Sequence, residues 1–281
     1  MSSDRVDIRP LTGALGAEIL GLDLSAPLSE PAANALRKAL LDFGVVFLPD
    51  QSLTVDQHKA VARYFGDIFV HPNFKGSGDD PEIVFVRRNP GDVAIVGEDW
   101  HSDTAMMQSP PLGAVLYGME VPPYGGDTLF ACQYAAFNAL SPAMQQLLGT
   151  LKAVNSDRNV AGPRAAMNAK RSTKVREDDG WTETFHLHPV VRTHPETGRK
   201  ALFVNRPYTL SFEGMTEAES RPLLEFLFQH SVRPEFTCRL RWTAGAVAIW
   251  DNRCVQHLAV NDAGPFPRLM RRVQIAGDRP Y

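Results

Sequence analysis

Most apolar positions in this chain fall into short runs with strand spacing, separated by turn residues, and only a few stretches carry helical spacing. Near the start, VDIRP and GAEILGLDL read as short strands, Pro31 to Phe43 as a helix, and VVFLPD as a further strand. Ser29-Glu30-Pro31 gives that helix a capped start, because proline is tolerated in a first helical turn. A second helix is predicted over about Val55 to Phe65, with Thr54 as its N-cap and Gly66 as its stop.

Strands then dominate, at 83–88, 113–121, 127–131, 190–194, 200–205, 236–242, 246–251, 255–260 and 269–277. Helices at about 133–150 and 216–231 interrupt them, the second opened by Thr216. Short strands between Gly- and Pro-rich turns, with few and grouped helices, predict a mainly β sandwich with peripheral helices rather than βαβ alternation. The stretch Asn155 to Thr184 has weak periodicity and many charges, including Lys170, Arg171, Lys174 and Arg176. A structureless run of that length in a compact domain is often a lid, so 155–184 is the candidate lid; a solvated surface insertion is the plainer alternative.

Composition narrows the function. The 281 residues suit one domain spanning 1–281, since β sandwiches and barrels reach roughly 250 residues. Net charge is -3 with both signs interspersed, so no basic field points to nucleic acid or an anionic membrane, and small molecules are the expected partners. MSSDRVDIRP carries charges where a signal peptide needs an apolar core, and no apolar run approaches the roughly 18 residues of a membrane span. The expectation is a soluble, cytoplasmic protein. Cys132, Cys238 and Cys254 are odd in number and lack CxxC pairing, which favours buried reduced thiols over nucleophiles or zinc ligands.

The candidate chemistry begins at EDWHSDT. His101 and Asp103 are two apart, so on an extended segment both side chains project from one face. His257, on the predicted strand VQHLAV, is available as a third ligand. Two histidines and a carboxylate leave open positions on an octahedral iron, as oxygen chemistry requires. A lone HxD triplet is weak evidence, and His58, His186, His188, His194 and His230 read as surface, turn or packing residues. Arg268 and Arg272, four apart on one predicted strand, share a face and suit carboxylate recognition, while Arg271 is expected to point outward. A cationic strand edge is the bland alternative for these arginines, and Asp262 an internal partner for Arg272.

LTGALGAEILGLDL, FGDIFVHP, DWHSDTAMMQSPPLGAVLYGMEVPPYGGDT, RPEFTCRLRW, AVAIWDNRCVQHLAV and RLMRRVQIAGD, in this order along nearly the whole chain, resemble the taurine dioxygenase family, which includes alkylsulfatase and aryloxyalkanoate dioxygenases. The resemblance implies a double-stranded β-helix (jelly-roll) core and Fe(II) held by His101, Asp103 and His257. It implies 2-oxoglutarate as co-substrate, its distal carboxylate bound by Thr128 and Arg268, and O2 as oxidant, with succinate and CO2 released. Arg272 would face the anionic group of the substrate, with His71 and Tyr208 lining the same pocket. Family members often form dimers or tetramers. Enzymes that use taurine have an amide residue where this chain has Gly97, whereas DNRCVQH, SFEGMTEAES and STKV look more like the aryloxyalkanoate branch. The expected substrate is therefore a small anionic sulfonate, sulfate ester or carboxylate. A zinc hydrolase with the same ligands and a non-catalytic metal-binding jelly-roll sensor remain the alternatives.

Overall fold

Strand VVFL is buried at every position, and the reason sets the plan of the molecule: one of its faces packs on a second sheet and the other lies under helices. The computed structural model describes residues 6–71, 74, 80–161, 170–173 and 182–281. The first elements are β1 (Asp7–Pro10), β2 (Ala17–Leu20), α1 (Glu30–Phe43), β3 (Val45–Leu48), α2 (Val55–Arg63), β4 (Ile68–Phe69), β5 (Val84–Arg88), β6 (Gly113–Glu120) and β7 (Thr128–Cys132). Then come α3 (Gln133–Asn138), α4 (Pro142–Leu148), β8 (Lys152–Ser156), α5 (Arg158–Ala161), β9 (Phe185–Pro189), β10 (Val191–Thr193), β11 (Lys200–Leu202), β12 (Thr209–Phe212) and α6 (Glu217–His230). Strands β13 (Thr237–Leu240), β14 (Val247–Asp251), β15 (Val255–Ala259) and β16 (Arg268–Ile275) close the chain.

The major sheet runs β1-β2-β3-β14-β6-β16-β4, with β5 also paired to β16, and a minor sheet runs β13-β7-β15. Phe47, Leu116, Ala248, Trp250 and Met270 of the major sheet pack on Phe130, Cys238 and Val255 of the minor one. The opposite face of the major sheet, with Val46, Leu48, Val115 and Ile249, is covered by Leu36 and Leu40 of α1 and Val61 of α2. This sandwich is the expected jelly roll. All three cysteines are buried and unpaired, and burial pushes the Cys238 thiol up to about 12, as inert thiols require. Among the described residues no helix is long and apolar enough to cross a membrane.

Local chemistry explains the helix ends. The Ser29 side chain accepts from the Ala32 amide, and Gly44 stops α1 in a left-handed conformation at φ 71°. Thr54 with Gln57, and Thr216 with Glu219, form capping boxes. The helix expected at 133–150 is instead two, because Ser141 is extended before Pro142 and caps α4 through Met144 N. A residue ahead of proline avoids the helical region.

Two further corrections follow from what covers each face. In β9, Phe185 and Leu187 are exposed while His188 is buried; the His186 and His188 rings reach the Met106 and Met107 carbonyls, each at 2.9 Å. That inverted alternation, polar inside and apolar outside, hid the strand. Arg271 does leave the Arg268–Arg272 face but does not meet water. It is buried under α2, donating to His58 Nδ1 at 3.1 Å and Leu53 O at 2.6 Å. The candidate lid is described only in part: Ser156 ends β8, α5 follows, and 170–173 rests on the loop beyond β5. Residues 162–169 and 174–181, with Lys174 and Arg176, lie outside the described residues.

Candidate active site

Pairing of β15 with β7 sets His257 opposite Phe130, and β15 has another neighbour on its far side. His101 forms an isolated bridge to His257, its N–H donating to the His257 carbonyl at 3.0 Å and its carbonyl accepting from the His257 N–H at 2.8 Å. Directly opposed residues on antiparallel strands bring their side chains close, and the two imidazole centroids lie 4.1 Å apart. Asp103, two residues on, completes the cluster, with Oδ1 3.7 Å from His101 Nε2 and 3.9 Å from His257 Nε2. The ligand atoms of the three lie within 4.8 Å of one another, a spacing one ion can bridge.

The protonation states suit a cation. His101 Nδ1 lies 2.7 Å from the Asp99 carbonyl, which can only accept, so Nδ1 donates there and Nε2 is the ring nitrogen turned to the cluster. Burial, then neighbouring His101, pushes His257 down to about 3, so its ring is neutral. Burial alone would raise the Asp103 carboxyl, but the Arg272 guanidinium foremost among its neighbours holds it below the usual carboxylate range. His257 Nδ1 has no partner among the described residues.

Arg268 and Arg272 project from one face of β16, as their spacing predicts. Arg272 Nη1 contacts Asp103 Oδ1 at 3.5 Å, while its buried Nε and Nη2 have no partner among the described residues. Asp262 is not its counterion; that carboxylate accepts from Gly126 N at 2.7 Å and Arg239 at 3.4 Å. Arg268 lies over the Trp242 ring at 5.7 Å, its Nε and Nη2 likewise without a partner among the described residues, and burial pushes its guanidinium down to about 10. Close approach explains the GGD turn: a Cβ on Gly126, at φ +67°, would stand 3.1 Å from Arg268 Cδ. Thr128 Oγ1 accepts from Trp242 Nε1 at 2.9 Å, which leaves its own hydroxyl hydrogen to donate.

Two cavities meet at these residues. A narrow one of about 50 Å³ is lined by Val86, Leu116, Thr128, His257, Arg268 and Arg272. A wider one of about 280 Å³ is reached by His71, His101, Asp103, Tyr208 and Arg272, with Phe74, Ile95, Val96 and Val160 as apolar wall. His71 Nδ1 accepts from Phe74 N at 3.2 Å, and burial pushes His71 down to about 3. Tyr208 is buried, its hydroxyl held by the Thr104 backbone amide. Gly97 lines both cavities at φ +81°, where a Cβ would stand 3.1 Å from His101 Cε1.

Every residue expected at the site is therefore in one place. Missed were Phe74, Trp242 and above all Asn252, whose amide Nδ2 donates to Asp103 Oδ2 at 3.3 Å; the only signal for it was its place in the DNR turn ahead of His257.

Known proteins share this arrangement of the chain. An alpha-ketoglutarate-dependent sulfate ester dioxygenase from Pseudomonas putida is 33% identical over 98% of this chain and 91% of its own. An (S)-phenoxypropionate/alpha-ketoglutarate-dioxygenase from Sphingobium herbicidovorans is 32% identical over 98% of this chain and 96% of its own. The crystal structure of a taurine dioxygenase from Burkholderia xenovorans matches with a TM-score of 0.82 and 35% identity, covering 98% of this chain and 90% of that one. With the family described as "Taurine catabolism dioxygenase TauD, TfdA family" matching residues 7–274, the chain belongs to that family.

Proposed function

We propose that this protein hydroxylates a small organic anion carrying a sulfate ester, a sulfonate or an aryloxyalkanoate carboxylate. As a member of its family it is an Fe(II)- and 2-oxoglutarate-dependent dioxygenase that consumes O2. One observation carries the substrate class: two buried arginines whose N–H groups include some with no partner among the described residues line cavities that both reach His101. A buried guanidinium facing a cavity is costly unless an anion completes it. The donor set, two imidazoles and an ionised carboxylate, fits iron with open positions.

His101, Asp103 and His257 would hold the iron. Bound together, iron and 2-oxoglutarate supply the oxidant that turns a C–H bond into C–OH while the co-substrate leaves as succinate and CO2. Arg268 and Thr128 would grip the far carboxylate of 2-oxoglutarate through charge-assisted hydrogen bonds, Trp242 fixing the Thr128 hydroxyl. Arg272 would pair with the anionic group of the substrate. His71, neutral and with its proton on Nε2 because Nδ1 accepts from Phe74, can donate to that anion without adding charge. Phe74, Ile95, Val96, Val160 and Tyr208 would surround the carbon body and exclude water. Gly97 offers no side chain to a substrate amine, which disfavours taurine. A zinc hydrolase would leave Arg268 and Thr128 without a purpose, and a non-catalytic sensor would release no succinate.

Succinate release tests the reading, measured with a medium-chain alkyl sulfate, an alkanesulfonate, an aryloxypropionate and taurine. At least one of the first three should stimulate succinate well above the substrate-free rate, and taurine only weakly. No stimulation by any of the first three, or stimulation by taurine alone, would contradict it.

A further inference from the structure

The turn between β14 and β15 is held rigidly from both sides. Asp251 N donates to the Gly44 carbonyl at 2.9 Å and Asn252 N to the Leu112 carbonyl at 2.8 Å. The Asp251 carboxylate accepts from Arg253 N, Nε and Nη2 at 2.9, 2.8 and 2.6 Å. It also accepts from His194 Nε2 at 3.0 Å, while His194 Nδ1 accepts from the Glu196 and Thr197 amides, each at 3.2 Å. The buried His194–Asp251–Cys254 group, which has metal-like spacing, is thereby spent on bracing the turn.

Asn252 sits in the middle of that brace and faces the site. It is 2% exposed. Its Oδ1 accepts from Trp250 Nε1 at 2.9 Å and from Asp103 N at 3.4 Å. Those two donors fix which end of the amide is oxygen, so Nδ2 must point at Asp103 Oδ2, 3.3 Å away. The two oxygens of Asp103 are thus divided. Oδ2 is engaged by Asn252, and Oδ1 faces His101, His257 and Arg272.

We propose that Asn252 is a positioning residue that makes Asp103 a one-oxygen metal ligand, keeping Oδ2 turned away; this rests on the iron site proposed above. A carboxylate offering both oxygens would fill two positions. One oxygen and two imidazoles leave three, the number that a chelating co-substrate and O2 require. Asn252 acts through Asp103 and touches no substrate.

The test is the dissociation constant for Mn(II), read from the electron paramagnetic resonance signal of the free ion. It is measured on wild type, Asn252→Asp and Asn252→Ala well below their metal-free melting temperatures. Asn252→Asp keeps the size and the acceptor for Trp250, but sets a carboxylate oxygen against Asp103 Oδ2. Loss of a group that orients a metal ligand weakens metal binding roughly 10- to 100-fold, and both folded variants should fall in that range. A constant for folded Asn252→Asp close to wild type overturns the proposal. Failure of wild type itself to bind Mn(II) overturns the iron site instead. Should Asn252→Ala not fold, Asn252→Asp decides; if neither folds even with saturating Mn(II), Asn252 belongs to the fold and the positioning role is refuted.

Discussion

Replacing Arg268 by methionine should make the metal-free protein more stable while destroying its hold on 2-oxoglutarate. The guanidinium is buried over Trp242, with Nε and Nη2 unpartnered among the described residues, and burial pushes it from 12.5 down to about 10. At about 1.4 kcal/mol per pH unit, that depression corresponds to desolvation on the order of 3 kcal/mol. The cation over Trp242 returns about 0.5–2 kcal/mol, so methionine of similar length should stabilise the empty fold by about 1–3 kcal/mol. For a domain of this size that is a rise of roughly 2–4 °C per kcal/mol. Co-substrate binding moves the other way: losing one partner of a buried charged pair costs about 2–5 kcal/mol, roughly 30-fold or more in affinity. Differential scanning calorimetry of metal-free protein and calorimetric titration of the Mn(II)-loaded protein with N-oxalylglycine measure the two halves. A variant with lowered melting temperature and unchanged N-oxalylglycine affinity would refute the reasoning, because Arg268 would then be a structural cation.

Other consequences are equally direct. Asp103→Ala removes the only carboxylate of the triad and should abolish Mn(II) binding and turnover together; near-full activity would remove the triad from the account. Arg272→Ala should raise KM for the anionic substrate by roughly 30-fold or more while leaving 2-oxoglutarate nearly unaffected, the reverse of Arg268→Ala, and equal effects would undo that division. Burial pushes His58 down to about 3 and His188 to about 4, from 6.5. Each stays neutral in the fold while the unfolded chain takes up a proton, so the stability they contribute is full above about pH 6.5 and lost as pH falls toward 3–4. The loss is about 2 kcal/mol per group between pH 7 and pH 5; a flat denaturation midpoint in metal-free protein over that range would contradict it.

What could be read from the sequence was what depends on local spacing. The two-residue step from His101 to Asp103 and the four-residue step from Arg268 to Arg272 fix shared faces on extended chain, and those faces hold. The meeting of His101 with His257 was expected from the resemblance, since no local spacing specifies a bridge between residues so far apart. Arg271 was misplaced because period-two alternation says which face a side chain takes, not whether α2 covers that face. Strand β9 escaped notice because its histidines point inward to bare carbonyls. Asn252 escaped because its role depends on the Asp251–Arg253 brace, which exists only once β14, β15 and the 194–196 turn are assembled.

The central claim is tested most directly by anaerobic titration of the iron-loaded protein with 2-oxoglutarate, followed by addition of a medium-chain alkyl sulfate. A weak visible charge-transfer band that forms with 2-oxoglutarate and shifts with the anion is the predicted result. Folded, iron-loaded protein that gives no band would contradict it.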